Sequence, residues 1–186
     1  MSNAISALDG KAYAGFVDIT EAGLQGMITL RGNLASAAMK KAVKAAIGVD
    51  LPAKSSIATK DAKAAGWMSP DELLLIVPYA DVTQTIESLG KALTKEHALV
   101  ADVSDARAMF RIKGAKATEV LMKLCPVDFG RMAPGELRRT RAAQVAAALW
   151  KSDADEYTLV SFRSVAGYVF GVLESSARPG SELFPA

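Results

Sequence analysis

Cysteine and histidine are almost absent from this sequence, whose 186 residues include one of each, Cys125 and His97. A single cysteine excludes an internal disulfide framework. The only histidine lies too far from it in sequence to suggest a zinc site. An unpaired thiol is typical of a reducing compartment, so we expect the protein in the cytoplasm.

Excess charge and long apolar runs are missing too. The formal net charge is +2, too small to imply a polyanionic partner. No apolar run reaches the roughly 18–20 residues that a membrane helix needs. Met1–Ser6 lacks the basic run and apolar stretch of a secretory signal. We therefore expect neither nucleic acid nor a membrane as a partner, and the 51% of hydrophobic residues predicts a substantial core.

The two residues best suited to catalysis lack recognisable companions. His97 has a side chain that titrates near neutral pH, but no nucleophile stands at a familiar spacing from it, which favours a surface or capping role. Cys125 follows a predicted helix, and the negative end of the helix dipole disfavours a thiolate there. A buried structural thiol is the favoured interpretation.

A polar group near the middle of the chain has two interpretations. If residues 98–103 form a strand, Asp102 and Ser104 share a face, and Asp102 with Asp105 forms a pair of carboxylates suited to acid–base work. Arg107 nearby favours instead an ion pair that orders the turn between the two halves of the chain. We expect no catalytic residue and no metal ligand.

Arg138, Arg139 and Arg141 form the densest basic cluster. On a strand, Arg139 and Arg141 share a face and Arg138 points the other way. Guanidinium groups suit carboxylates and phosphates alike. A contact with a partner chain or an internal pairing is favoured, and a solvated face or a small-anion site stays open.

The glycines predict turns and no nucleotide site. Gly32 and Gly114 belong neither to a G-x-G-x-x-G run nor to a Walker motif. Each stands between a predicted strand and a predicted helix. We therefore do not expect FAD or NAD to be bound by this chain alone.

The organisation along the chain is that of a duplicated domain with loose ends. We interpret residues 1–26 as an N-terminal arm, 27–176 as one pseudo-duplicated domain and 177–186 as a loose C-terminal tail. The repeats span about 27–103 and 108–176. Large apolar side chains near the ends are candidate anchors for a neighbour, and packing on their own core is an equally favoured alternative. These side chains are Phe16, Tyr168, Phe170, Leu183 and Phe184.

Two sequence motifs occur twice at a nearly constant offset. Thr29–Gly32 matches Arg111–Gly114 at an offset of 82 residues, and Pro70–Leu75 echoes Ala154–Leu159 at an offset of 84. Each motif leads into an amphipathic helix. The pattern predicts an α+β fold of two pseudo-repeated split β-α-β units, with antiparallel sheets and helices packed on them. Residues 50–66 are interpreted as a surface connection.

Seven segments in order resemble one family. They are Ile28–Gly32, Trp67–Leu75, Pro78–Ala80, Val103–Arg107, Arg138–Arg141, Gln144–Trp150 and Phe162–Tyr168. On these segments, residues 27–175 resemble the gamma subunit of heterotetrameric sarcosine oxidase. The layout is also similar to the folate-binding region of glycine-cleavage aminomethyltransferases.

The resemblance implies a non-catalytic gamma subunit beside alpha, beta and delta subunits. The parent enzyme demethylates sarcosine oxidatively to glycine, passes the one-carbon unit to tetrahydrofolate and forms hydrogen peroxide. FAD, FMN, NAD and tetrahydrofolate are expected on the other subunits. The alternatives are a small folate or one-carbon binding protein and, third, an RNA-binding module. The chain has no room for the extra C-terminal barrel of an aminomethyltransferase.

Overall fold

The computed structural model describes residues 4–184, so the outermost parts of the predicted arm and tail, 1–3 and 185–186, lie outside the described residues. The chain divides into two compact units. The inserted unit is Gln25–Ser104, and the split unit comprises the described residues on either side of it. Each unit has its own apolar core.

Eleven strands and four α-helices form within residues 4–184. The strands are β1 (Ala12–Ala14), β2 (Asp18–Glu21), β3 (Gly26–Arg31), β4 (Ile57–Lys60), β5 (Lys63–Ser69), β6 (Glu72–Val77), β7 (Leu99–Asp102), β8 (Arg107–Lys113), β9 (Leu137–Ala142), β10 (Val145–Asp153) and β11 (Glu156–Phe162). The helices are α1 (Ala37–Ile47), α2 (Val82–Ala92), α3 (Ala117–Met122) and α4 (Ala166–Ser176). None of these helices has the length and apolar character needed to cross a bilayer.

The inserted unit is a five-stranded antiparallel sheet in the order β4-β5-β6-β3-β7. Its core joins inward residues of β3 and β6, such as Leu30 and Leu75, to Met39 and Val43 of α1 and Leu89 of α2. These side chains recur at helical or alternating spacing in the sequence, and the amphipathic helices predicted after the two motifs of this unit are confirmed.

Helix α1 shows how local chemistry fixes an element. Ser36 precedes the helix, and its hydroxyl accepts a hydrogen bond from Ala38 N at 3.2 Å. Gly48 ends the helix with φ +77°, and its N–H donates to Lys44 O. A left-handed residue at this point favours glycine.

The split unit is a six-stranded antiparallel sheet in the order β1-β2-β8-β11-β10-β9. Its core joins Phe110 of β8 and Leu159 of β11 to Val120 and Leu121 of α3 and Phe170 of α4. The ring centroids of Phe110 and Phe170 lie 6.4 Å apart. Both helices of this unit, α3 and α4, follow the inserted unit in the sequence, whereas the strands of the sheet come from both sides of it.

The repeated motifs fold alike in the two units. Gly32 N donates to Asp71 O at 2.9 Å, and Gly114 N donates to Asp155 O at the same distance. The two glycines have φ of +156° and +144°, a conformation that side chains rarely adopt. The predicted fold class, α+β with antiparallel sheets and helices packed on them, is confirmed.

The predicted N-terminal arm departs from the sequence-based expectation. Within it, β2 pairs with β8 from Asp18 opposite Lys113 onward. The Glu21 carboxylate, 2% exposed, accepts from Ser6 Oγ at 2.7 Å and from Gly10 N at 2.8 Å. The segment is ordered by this chain's own sheet and buried carboxylate, so the expectation that it orders only against a neighbour is wrong for the described residues.

The predicted connection at residues 50–66 contains structure as well. It holds β4 and the beginning of β5, which pair with each other through a turn at Asp61, φ +53°. Ile57 and Ala65 are buried. Lysines and small residues in these strands hid the alternation from which a strand is normally recognised.

Candidate protein-interaction surface

The predicted arginine cluster lies on β9, at one end of the split unit's sheet. Arg139 and Arg141 are exposed and share a face, as the alternation of a strand predicts. Arg138 points the other way. Its Nη2 lies 3.0 Å from Glu136 Oε2, and its Nη1 donates to Leu137 O at 3.0 Å. This pair is 38% and 35% exposed, so it contributes at most about 1 kcal/mol.

A role for this strand in binding stays a prediction. Arg139 and Arg141 stand opposite Ala148 and Ala146 on β10, whose small side chains do not cover them. Two guanidinium groups on one face suit a carboxylate-bearing partner or an anion. The geometry of the strand therefore agrees with the predicted contact surface without deciding between its occupants.

Residues 178–184, which we call the strap, are tied to α3. Glu119 is 8% exposed, and its Oε2 accepts from the backbone N–H of Leu183 at 2.8 Å and of Phe184 at 3.2 Å. The expectation of a loose tail is therefore wrong for the described residues. The reason is long-range: a buried carboxylate of α3 fixes two backbone amides that carry no distinctive sequence signal.

Two lysines complete the attachment of the strap. Lys116 Nζ donates to Phe184 O at 2.9 Å and lies 3.8 Å from Glu119 Oε1. Lys123 Nζ donates to Ser176 O at 2.7 Å and also to Ser181 O, and it lies 5.1 Å from the centroid of the Phe16 ring. The polar attachment therefore uses main-chain groups and the Ser181 hydroxyl of the strap, and none of its polar contacts involves the side chains of Leu183 and Phe184.

The predicted anchors separate into two groups. Tyr168, Leu183 and Phe184 have exposed fractions of 43%, 42% and 61%. Phe170 is buried at 1%, and Phe16 packs against the core of the split unit. Phe170 falls on the inward face of α4, which Ala166, Val169 and Leu173 share. Three of the five side chains thus remain available for a neighbour.

The sequence did not single out five further exposed apolar side chains, Ile5, Leu24, Leu99, Met122 and Phe162. Met122, Phe162 and Ile5 are exposed at 45%, 47% and 61%. Met122 lies off the apolar stripe of α3, so the helical period was the signal that could have found it. The guanidinium carbon of Arg107 lies 4.4 Å from the centroid of the Phe162 ring. Arg163 Nη2 donates to Ile5 O at 3.0 Å.

The two carboxylates considered for acid–base work make separate local contacts. Asp102 Oδ1 accepts from Ser104 N at 2.9 Å and from Ser104 Oγ at 2.6 Å, which orders the turn after β7. Asp105 Oδ1 lies 4.0 Å from Arg163 Nη1. These contacts favour the structural interpretation of both residues.

His97 is exposed and borders a surface pocket of about 310 Å³ in the inserted unit. The other polar residues of this pocket, Arg31 and Asp71, form an ion pair at 2.8 Å. Hydrogen bonds from Ser69 Oγ and Arg31 hold the pKa of Asp71 below its usual value. Because Arg31 already has a carboxylate partner, the pocket has little to offer an anionic ligand.

Cys125 is 4% exposed, and burial raises the pKa of its thiol to about 12. The predicted buried thiol is therefore confirmed. Within the part of the chain that the structure describes, no group of three or more His, Cys, Asp or Glu residues is placed to hold a metal ion.

The fold defines a class: a duplicated α+β protein whose arrangement recurs in aminomethyltransferases. Over 82% of this chain and 44% of the other, it superimposes on the glycine cleavage system aminomethyltransferase T from Bartonella henselae, with a TM-score of 0.63 and 12% identity. The regulatory subunit of aspartate kinase from Thermus thermophilus is similar with a TM-score of 0.53 and 12% identity, over 89% of this chain and 99% of that one. These two likenesses concern the fold alone.

A family model then identifies the particular family. The model of the sarcosine oxidase gamma subunit family matches residues 31–178, and the chain belongs to that family. A chain of the heterotetrameric sarcosine oxidase from Corynebacterium sp. U-96, in complex with pyrrole 2-carboxylate, is 26% identical with a TM-score of 0.81. The match covers 94% of this chain and 91% of that one. Comparison with curated proteins finds no significant match.

Proposed function

We propose that this chain is a non-catalytic gamma subunit of a heterotetrameric sarcosine oxidase and acts by completing the assembly. The family match over residues 31–178 carries the proposal. The structural likeness to a heterotetrameric sarcosine oxidase chain supports it over nearly the full length. The partners are alpha, beta and delta subunits. Exposed groups such as Arg141, Tyr168 and Phe184 offer surfaces for them.

In this proposal the other subunits hold FAD, FMN, NAD and tetrahydrofolate. The complex demethylates sarcosine oxidatively to glycine, passes the one-carbon unit to tetrahydrofolate and forms hydrogen peroxide. Two groups of this chain that could bind or react with a ligand are already engaged, which supports placing the cofactors on other subunits. The Cys125 thiol is buried, and Arg31 is paired with Asp71. The single, unpaired cysteine favours the cytoplasm as the location of the complex.

The test is a pull-down of the tagged full chain from native extract, with the co-purifying chains identified by mass and the flavins by absorbance. We expect a yellow complex with two large subunits and one further small one. A stable interface of this kind buries upwards of about 1,200 Å² and survives gentle washing. Recovery of the bare chain would contradict the proposal.

A small folate-binding protein is the second candidate, and the fold shared with aminomethyltransferase T favours it. Trp67, half-buried on β5, and Trp150, buried on β10, are fluorescent reporters for a titration with tetrahydrofolate. Saturable quenching by the isolated chain at micromolar folate would favour this candidate. An unchanged signal at millimolar folate would remove it.

A further inference from the structure

The strap presents two apolar side chains that its own attachment does not use. The polar contacts of residues 181–184 with α3 run through backbone groups and the Ser181 hydroxyl. The side chains of Leu183 and Phe184 remain 42% and 61% exposed. A segment held for the stability of the chain alone would ordinarily bury its apolar side chains, because that burial is the larger favourable contribution.

A third exposed apolar side chain, Met122, belongs to the helix that holds the strap. It lies three residues after Glu119, about one helical turn along α3. Its exposed fraction is 45%. Leu183, Phe184 and Met122, which we call the strap patch, account for three of the eight exposed large hydrophobic side chains among residues 4–184.

The charges beside the strap patch are engaged with the strap. Lys116 bonds Phe184 O and contacts Glu119, and Lys123 bonds main-chain oxygens of Ser176 and Ser181. Residues 181–184 themselves carry one charged side chain, Glu182, which is acidic. An apolar patch with an acidic neighbour suits a hydrophobic pocket on a protein, whereas nucleic acid and anionic lipid surfaces attract free cations.

We propose that the strap patch is an anchor of this chain in its complex, and that Leu183 and Phe184 enter an apolar pocket on a larger subunit of the oxidase. The proposal rests on the proposed function. Glu119 and Lys116 act as positioning residues that hold the two anchors in place before the partner arrives. Fixing a segment in its bound conformation lowers the entropy cost of association.

The test co-expresses each variant of the tagged full chain with the three partner subunits. Captured complex is diluted in steps, and the flavin retained per captured chain gives an apparent Kd. We expect the double substitution Leu183→Ala/Phe184→Ala to weaken the apparent Kd at least about 30-fold, as central apolar anchors do. Its melting temperature as a free chain should change by less than about 3 °C, because both side chains are exposed.

Two further variants keep the result interpretable. Ile5→Ala removes a side chain with the same exposed fraction as Phe184, 61%, and should bind like the wild type. Glu119→Ala releases the strap but keeps the anchors, and should weaken the apparent Kd about 5–10-fold through lost preorganisation.

The outcomes separate this inference from the proposed function. Wild-type chain that recovers no flavin overturns the proposed function, and this inference with it. Wild-type chain that binds while Leu183→Ala/Phe184→Ala retains its full affinity overturns the inference alone. If that double variant instead loses binding to neutral lipid vesicles while its assembly is unchanged, the anchor belongs to a membrane and the inference is also overturned.

Discussion

The inserted and split units follow one sheet plan but complete it from opposite directions along the chain. In the inserted unit, β3 lies between β6 and β7, and β7 comes after α2 in the sequence. In the split unit, the strand beside β8 is β2, which comes before the whole repeat. The remaining order, β4-β5-β6-β3 against β9-β10-β11-β8, is the same.

The difference shows that equivalent positions in the two sheets are filled by strands from different places in the sequence. Both β2 and β7 pair antiparallel with the strand that carries the repeated glycine motif. Both also end in a carboxylate that orders a turn: Glu21 after β2 and Asp102 after β7. Antiparallel pairing accepts a partner from either side of the chain, provided that one face is apolar.

The largest expected loss of stability comes from shortening buried side chains at corresponding positions in the two cores. Phe110 on β8 and Ile28 on β3 occupy corresponding places, and both are 0% exposed. Phe110→Ala should lower the free energy of unfolding by about 3–5 kcal/mol, because it leaves a cavity against Phe170. Ile28→Val is the mild control, at about 0.5–1.5 kcal/mol. Urea unfolding measures both, and a loss below about 1 kcal/mol for Phe110→Ala would contradict the core described here.

The next effect tests whether the repeated turn is equally demanding in both units. Gly32→Ala and Gly114→Ala should each cost about 1–3 kcal/mol, because their positive φ is nearly restricted to glycine. A Cβ at Gly114 would also approach Val17 Cγ1 to 3.1 Å. Gly90→Ala, in open space on α2, should stabilise by about 0.5–1 kcal/mol. In thermal unfolding, clearly unequal losses for Gly32→Ala and Gly114→Ala would contradict the equivalence of the turns. A Gly90→Ala variant destabilised as much as these two would contradict the role of positive φ.

A smaller expected effect distinguishes β2 from β7. Glu21→Ala should cost about 1–2 kcal/mol, because it leaves the buried Ser6 hydroxyl and the part-buried Gly10 N–H without their acceptor. Asp102→Ala should cost less, because that residue is exposed. Limited proteolysis of residues 4–24 is the second readout. Glu21→Gln retains an acceptor oxygen and should cleave more slowly than Glu21→Ala. Equal cleavage of the two variants would show that the side-chain oxygens of Glu21 do not hold residues 4–24 in place.

The effect that is smallest at neutral pH, and develops only in alkali, is a pH dependence of the split unit. Burial raises the thiol pKa of Cys125 from 9.0 to about 12. Between these values the unfolded chain releases the proton and the folded chain keeps it, so stability falls as pH rises, by at most about 1.4 kcal/mol per pH unit. The difference in unfolding free energy between wild type and Cys125→Ala should be constant below pH 8 and shift through pH 9–11. A constant difference throughout would show that the thiol is not shielded.

Features set by neighbouring residues were predictable from the sequence. The stripe of α1, its end at Gly48 and the turns at Gly32 and Gly114 follow from helical period and backbone conformation, which are local. The partnership of β2 with β8 was not predictable. It depends on an apolar face that only appears when two distant segments are placed side by side.

The candidate interaction surface likewise combines features that the sequence predicts with features that it does not. The alternation of Arg138 and Arg139 on β9 follows from strand geometry alone. The strap depends on Glu119, a helix residue whose burial and long-range contacts no period reveals. For Phe170 the sequence left an anchor and a core role equally favoured, and the structure places it in the core of the split unit.

The divided composition of the split unit sets an order of events during synthesis. Residues 25–104 contain a complete sheet and core, so the inserted unit is able to fold while the ribosome is still adding the rest. The first strands of the split unit are made early but must wait for β8, and α3 and the strap come later still. The sheet of the split unit is therefore completed only after the whole inserted unit has been synthesised.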